Sequence, residues 1–354
     1  MQLTSDLTIT KSPHTRIHEV DFSHLEFGRH TTDHMFVADY KNGEWQTPTI
    51  VPYSNLSLNP VTLALHYGQT VFEGMKAFRM ADKNVSLFRP FKHHERFNTS
   101  LTRMCMPNVP EDLFIQGIHK LVEIDSAWVP SEEGSSLYIR PFMIASEERF
   151  GVKVSDEYKF IIVAGPVGPY YAMPLRLRIE REYVRAARGG TGYAKCGGNY
   201  GGAFLPTQLA KQDGYDQVMW TDAVEHKYIE ECGTMNLLFR INDVIVTPTL
   251  SSSILDGVTR DSILTLAADM DFTVEKRQVS VEEIRDGFKG NTMQEAFGAG
   301  TAAVVAPVQT INIDGEDFDL PAWNEKSFMM QVKMKLSNIR RGVDADNYEW
   351  NYIV

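Results

Sequence analysis

Seven glycines crowd one run, Gly189-Gly190-Thr191-Gly192-Tyr193-Ala194-Lys195-Cys196-Gly197-Gly198-Asn199-Tyr200-Gly201-Gly202. A stretch this rich in glycine punctuates a fold, and it lets the backbone take φ > 0 or come very close to a ligand. A single basic side chain, Lys195, stands in the middle of it. Taken alone, the run also reads as a plain surface loop with an incidental lysine. Two other glycine-rich readings fail on spacing. A dinucleotide fingerprint wants glycine where Lys195 stands after Gly190-Thr191-Gly192, and a Walker loop wants Gly-Lys-Ser/Thr where Ala194-Lys195-Cys196 stands.

An amine held among apolar and aromatic groups loses hydration, which lowers an amine's pKa. Such an amine is a nucleophile whose characteristic chemistry is a Schiff base with a carbonyl or with pyridoxal phosphate (PLP). The rest of the chain allows a folded enzyme around it. Its 354 residues suggest two domains, and 43% hydrophobic against 23% charged residues is the balance of a globular protein. A net charge of −11 argues against nucleic acid as a partner. The N-terminal stretch Met1 to Lys11 lacks the apolar core of a signal peptide, and no apolar run reaches the ~18 residues that span a bilayer. Cys105, Cys196 and Cys232 are scattered, which points to a reducing cytoplasm rather than a disulfide framework.

Local patterns give an outline. Met35 to Tyr40 and Glu44 to Thr47 flank a hairpin turn at Asn42-Gly43. Pro90 to Met104 and Glu111 to Ile124 read as helices, although Gly117 weakens the second. Ser136 to Ile144 and Lys159 to Ala164 read as buried strands. Gly165-Pro166-Val167-Gly168-Pro169 breaks the pattern, so the expected domains are 1–168 and 179–354 with a linker over 169–178. A helix is expected over Gly202 to Gln212, a strand over Gln217 to Thr221, and a hairpin of Asn236 to Ile241 with Val244 to Thr247. Thr259 to Met270 reads as a helix entered through Gly257-Val258, and Ser280 with Glu283 has capping-box spacing for another. Gly298-Ala299-Gly300 reads as a turn before a strand over Ala302 to Val308, and a last helix is expected from about Trp323 to Arg340.

A PLP site needs a Schiff-base lysine, a phosphate cradle, a carboxylate on the pyridine nitrogen and a donor to the phenolate oxygen. Glu230-Glu231 precedes the small-residue turn Cys232-Gly233-Thr234, where a carboxylate would keep a pyridinium protonated; an acidic surface loop is the alternative. Gly257-Val258-Thr259 at a helix start suits an anion, and Gly298 to Ala302 offers a second small-residue turn. Arg96 is a candidate fixed cation, with a helix-surface arginine as the alternative.

With these segments in order, the chain resembles the branched-chain amino acid aminotransferases, PLP enzymes of fold type IV in the class IV aminotransferase family. The match runs almost end to end. It is carried by Phe27-Gly28 with Thr32-Asp33-His34-Met35, Leu65-His66-Tyr67, Val71-Phe72-Glu73-Gly74-Met75-Lys76-Ala77, Leu87-Phe88-Arg89-Pro90, Leu137-Tyr138-Ile139-Arg140-Pro141, Lys195 to Tyr200, Glu231 to Asn236, and Gly257-Val258-Thr259-Arg260. The resemblance implies a mixed α/β fold with a smaller N-terminal domain and a larger C-terminal pseudo-barrel that binds PLP. It implies that Lys195 is the Schiff-base lysine and proton carrier, that Tyr200 bonds the phenolate oxygen, and that Glu231 pairs with the pyridine nitrogen. Arg96, Val258, Thr259 and Thr301 would hold the phosphate. Thr234 would touch both cofactor and substrate pocket, and Phe27, Phe72, Tyr138, Tyr170 and Ala302 would line that pocket. Tyr67, Phe150 and Val152 would reach the site of a neighbouring subunit, which implies a homodimer. One departure is visible. Some family members carry Cys-x-x-Cys after the Gly-x-Gly-Thr turn, where this chain has Ala303 and Ala306.

The expected activity is transfer of the amino group of L-leucine, L-isoleucine or L-valine to 2-oxoglutarate, by a ping-pong route through pyridoxamine phosphate. The partners are small amino acids and 2-oxo acids, with no metal, nucleic acid or membrane. The pocket must take an aliphatic side chain and, in turn, a carboxylate, and Arg140 is the candidate for the carboxylate. A D-amino acid aminotransferase, an aminodeoxychorismate lyase or a PLP-binding protein without turnover are the rivals.

Overall fold

A computed structural model describes residues 7–171 and 173–354. Residues 1–6 of the polar N-terminal stretch, and Ala172 in the expected linker, lie outside the described residues. The chain forms two compact units. The first comprises 1–170, 194–198 and 337–354, and the second 171–193 and 199–336. Lys195 therefore belongs to the first unit, although both flanks of its glycine run belong to the second.

The first unit is built on a ten-stranded sheet. At its centre Ser136–Ala145 pairs antiparallel with Tyr158–Val167, which pairs antiparallel with His34–Lys41. The hairpin from His34–Lys41 to Glu44–Trp45 turns on Asn42 and Gly43, both at positive φ, the turn whose twist matches paired strands. Helices Pro90–Arg103 and Glu111–Ile124 share one apolar core with the sheet, through Phe97, Leu101, Phe114, Ile118, Leu121, Phe36 and Phe160. Gly117 has a packing reason: a Cβ there would lie 3.0 Å from the Phe36 ring.

One expectation fails here. Gly165 to Val167 does not break the pattern, because the strand runs on to Val167. Pro166 pairs with Leu137 beyond the reach of His34–Lys41, which pairs only Tyr158 to Ile162, so its missing N–H interrupts no ladder on that side. Gly165 is there for clearance, since a Cβ would come within 2.0 Å of the His30 carbonyl oxygen.

The second unit is built on a nine-stranded sheet that closes on itself. Ile229–Cys232, Gln217–Thr221, Leu175–Ile179, Val304–Ile313, Met293–Gly300 and Met235–Ile241 follow in order, and the last pairs back onto the first. Leu177, Met219, Leu237, Phe239, Ala306 and Ile311 form the core of this pseudo-barrel. Leu175–Ile179 begins inside the stretch read as linker and ends one residue past it, yet alternates buried and half-buried residues as a strand. Gly298 to Gly300 is also strand rather than turn. Its small residues make room for Met235, whose Cε would be 2.7 Å from a Cβ on Gly298, and the turn is displaced to 301–303. The following strand accordingly begins at Val304, and the last helix at Phe328 rather than Trp323. Helix Val281–Lys289 starts as its spacing predicts, with Glu283 N–H donating to Ser280 Oγ at 3.0 Å. Glu283 does not complete the box, because Arg277 engages its carboxylate.

Among the described residues no helix is long and apolar enough to cross a membrane, and no cluster of His, Cys, Asp and Glu is arranged to hold a metal.

Candidate active site

In the first unit, Lys195 is held by its backbone. Its N–H donates to Ser100 Oγ at 2.8 Å, and that hydroxyl donates to the Arg96 carbonyl at 3.0 Å. Its carbonyl accepts from Phe72 N–H at 3.0 Å, and Val71 bridges to Cys196. The lysine thus lies along the strand Thr70–Phe72. Gly197 permits this, as a Cβ there would be 2.9 Å from Thr70 Cγ2. The side-chain amine sits 4.9 Å from the centre of the Phe72 ring, and the Arg140 guanidinium 4.7 Å from the same ring.

Arg96 is buried, not on a helix surface. Glu73, fully buried, takes Arg96 Nε at 2.8 Å on one oxygen and Nη2 at 2.5 Å on the other. Burial alone would push Glu73 up, but the Arg96 charge and its two hydrogen bonds hold it well below the ordinary 4.5. His93 Nδ1 lies 3.3 Å from Glu73 Oε1, outside hydrogen-bond geometry, and burial pulls this imidazole below its usual range despite Glu73. Lys76, in the same run, is pulled down to about 7 by burial and then by the Arg340 charge.

Phe27, Tyr138, Arg140, Gly165 and Val167 help to line a hollow of about 220 Å³ in this unit. Phe27 stands edge-on to Tyr138 and to Tyr170, each at 4.9 Å between ring centres. Arg140 Nη2 donates to Tyr138 Oη at 2.9 Å, while its buried Nε has no partner among the described residues. Gly74 is forced here too, because a Cβ would fall 2.0 Å from Tyr138 Oη. Tyr67, Phe150 and Val152 do not join this group: they are 42%, 80% and 84% exposed.

In the second unit, the two ends of the glycine run are tied together. Thr191 Oγ1 donates to Asn199 Oδ1 at 2.6 Å, and Asn199 Nδ2 to the Thr191 carbonyl at 2.8 Å. Tyr200, on the short helix Gly197–Gly201, lines a small hollow with Arg185, Glu231, Gly233, Thr234 and Leu255. Glu230 and Glu231 are buried on a strand, so the surface-loop alternative falls. Glu231 accepts the Leu255 N–H at 2.6 Å and pairs with Arg185 Nε at 3.0 Å, and Arg185 also donates to the Ser253 carbonyl at 2.7 Å. Glu230 accepts from Ser253 Oγ, and its Oε2 has no partner among the described residues. Burial pushes Glu230 above its ordinary value against the Ser253 hydrogen bond, and the Glu231 charge adds to the rise.

Helix Val258–Asp269 opens at Gly257, which has no side chain to serve as a cap, and its first turn carries Val258 and Thr259. Gly257 is required by space, as a Cβ would collide with Asn236 Oδ1. Thr301 and Ala302 sit half-buried on the 301–303 turn. Cys196 and Cys232 are buried, and burial holds the Cys232 thiol far above its usual range, so it is a poor nucleophile.

Sequence reasoning missed Glu73, His93, Ser100 and Arg185. Glu73 and Arg96 are 23 positions apart on separate elements, and nothing local joins them. The visible signal was the unusual acid in Phe72-Glu73-Gly74, between two apolar stretches.

The pattern of the family described as "Amino-transferase class IV" matches residues 70–311. The chain is 43% identical over 349 residues to branched-chain-amino-acid aminotransferase 2 of Bacillus subtilis (strain 168), covering 98% of this chain and 95% of that one. It is 48% identical over 301 residues to branched-chain-amino-acid transaminase 1 of the same organism, covering 84% and 85%. Among solved structures, the T.th. branched-chain amino acid aminotransferase complexed with N-(5'-phosphopyridoxyl)-L-glutamate superposes with a TM-score of 0.71 at 26% identity, over 89% of this chain and 97% of that one. The enzyme of Thermoproteus uzoniensis with norvaline gives 0.74 at 24% identity, over 90% and 99%, a likeness of fold.

Proposed function

The chain belongs to the class IV aminotransferase family, as a PLP-dependent branched-chain-amino-acid aminotransferase of fold type IV, and from that premise we propose what its residues do. The donor set fits the cofactor: an amine on Lys195, a buried guanidinium on Arg96, a helix start at Val258–Thr259 entered through a glycine, and a buried carboxylate on Glu231 beside Tyr200 in one hollow. When bound, PLP supplies an electron sink for the bonds at the substrate's Cα.

Lys195 holds the cofactor covalently and moves the proton at the substrate's Cα. Tyr200 donates to the phenolate oxygen, and Glu231 keeps the pyridine nitrogen protonated. Arg96, Thr259, Thr301 and the backbone at Val258 hold the phosphate, and Thr234 touches both the cofactor and the substrate pocket. Phe27, Phe72, Tyr138, Tyr170 and Ala302 bound the substrate side chain, and Arg140 receives its carboxylate when there is one. Tyr67, Phe150 and Val152 are exposed here, as expected of residues that a second copy covers in a homodimer working in the cytoplasm.

The substrates are L-leucine, L-isoleucine and L-valine as donors and 2-oxoglutarate as acceptor. The observation that carries this is the Phe72 ring, which has the Lys195 amine at 4.9 Å and the Arg140 guanidinium at 4.7 Å. One aromatic wall therefore serves an aliphatic chain, while a guanidinium with a spare buried donor waits for a carboxylate. A glutamate-forming assay across L-Leu, L-Ile, L-Val, D-Ala and L-Phe tests the reading. The three branched L-amino acids should lead in kcat/KM, and a lead for D-Ala would overturn it. Light scattering of the purified protein should give twice the chain mass.

A further inference from the structure

We propose that Glu73 is the positioning residue for phosphate recognition: it fixes the plane of the Arg96 guanidinium before any ligand arrives. The proposal rests on the reading of Arg96 as a phosphate holder. Glu73 takes the Nε edge of the fork and one Nη2 bond, which sets the direction of the guanidinium's remaining donors. Glu73 is itself immobile. Its N–H donates to the Pro141 carbonyl at 2.7 Å, and its Oε1 accepts the N–H of Gly74 at 2.7 Å. Gly74 in turn is locked by Tyr138, which leaves no room for a Cβ. The orientation of Arg96 is thus inherited from the sheet through three successive residues. Phe72 faces Lys195, Glu73 grips Arg96, and Gly74 admits Tyr138. His93 contributes no competing cation, since burial keeps it neutral.

The Arg96 helix also supports Lys195, through Ser100. A change that merely loosened this helix would weaken every mode of cofactor binding. A change that misaimed Arg96 would weaken only recognition of the phosphate. Apoenzyme resolved from the holoenzyme separates the two when titrated with PLP and with pyridoxal, which lacks the phosphate. In Glu73→Gln, the preference for PLP over pyridoxal should fall about tenfold or more, with pyridoxal affinity little changed. In Arg96→Gln the preference should fall at least as far. Arg96→Lys keeps the charge but loses the fork, and it should also lose most of the preference; it carries the test if Glu73→Gln does not fold. Parallel losses for both ligands in Glu73→Gln, or an unchanged preference in it or in Arg96→Lys, would overturn the role of Glu73. An unchanged preference in Arg96→Gln would overturn the phosphate reading itself, and the proposal with it.

Discussion

Two buried glutamates, one in each unit, have opposite fates. Glu73 lies in the chain between two strands of the ten-stranded sheet, Thr70–Phe72 and Met75–Arg79, with a guanidinium on both of its oxygens, and it is held charged far into acid. Glu230 lies on the closing strand of the pseudo-barrel with a serine hydroxyl as its partner, and burial pushes it toward the neutral form. Burial is the largest influence on both, and it acts upward on both. What differs is whether a cation stands against the carboxylate. Beside Glu230, Glu231 has claimed the available cation, Arg185. Each region thus keeps one charged carboxylate in a low-dielectric setting and equips it with an arginine. Glu73 uses its arginine to aim a cation, whereas Glu231 uses its own to be aimed.

The largest expected effect tests whether covalent chemistry belongs to the first region alone. Borohydride reduction of the yellow holoenzyme should fix the cofactor to the peptide carrying Lys195. Lys195→Ala should lower transamination by about 10⁴-fold, since nucleophile and proton carrier are lost together. Lys76 is the informative rival, being an amine pulled to about 7, and label recovered on Lys76 would place the chemistry wrongly.

Next comes the charged glutamate. Glu73→Gln removes the carboxylate charge that faces the buried Arg96 and should cost about 3–5 kcal/mol of stability at neutral pH. Because the folded state depresses the Glu73 pKa, its stabilisation is present above the ordinary 4.5 and fades as pH falls through the folded value. The gap between wild type and variant in denaturant melts should therefore narrow below pH 4.5, and a gap independent of pH would remove the contrast with Glu230.

Glu231→Gln keeps the volume and removes the charge, so kcat and kcat/KM should fall together by about 10²-fold. Arg140→Leu should raise KM for 2-oxoglutarate and glutamate about 10-fold or more, with KM for leucine changed far less. Single-turnover measurement of each half-reaction checks this, and equal losses on both sides would make Arg140 structural.

The smallest effect belongs to Glu230, the glutamate whose pKa burial raises. Glu230→Gln should leave kcat near wild type and stability within about 1 kcal/mol. A raised folded pKa gives a stabilisation that is full below 4.5 and lost as pH rises through the folded value. The variant's Tm should accordingly gain on wild type from pH 4.5 to pH 8, the mirror of Glu73→Gln. A loss with rising pH would mean that Glu230 is charged in the fold.

Features whose causes are local were legible in advance. Both hairpin turns follow from residues that tolerate positive φ, Asn42-Gly43 and Asn242-Asp243. The Ser280–Glu283 spacing yields a real cap, and Gly257-Val258-Thr259 does open a helix. The same local logic misread Gly298 to Gly300 and Gly165, because those glycines answer to Met235 and to the His30 carbonyl rather than to a turn. A glycine demanded by clearance looks identical, in one dimension, to a glycine demanded by φ.

By itself, then, the amino-acid order determined which groups this protein can bring to a reaction: a lysine framed by glycines, a Glu before a small-residue turn, an arginine on a proline-started helix, and the ordered run of motifs that marks the family. Only the tertiary structure decided which of them are charged, which are aimed, and by what. Glu73 and Glu230 are the same residue type, and each neighbours an element of the site. One faces Arg96 from 23 positions away and the other faces Ser253 from the same separation. Charge state in an interior depends on desolvation and on the nearest partner, and both are set by contacts between distant segments.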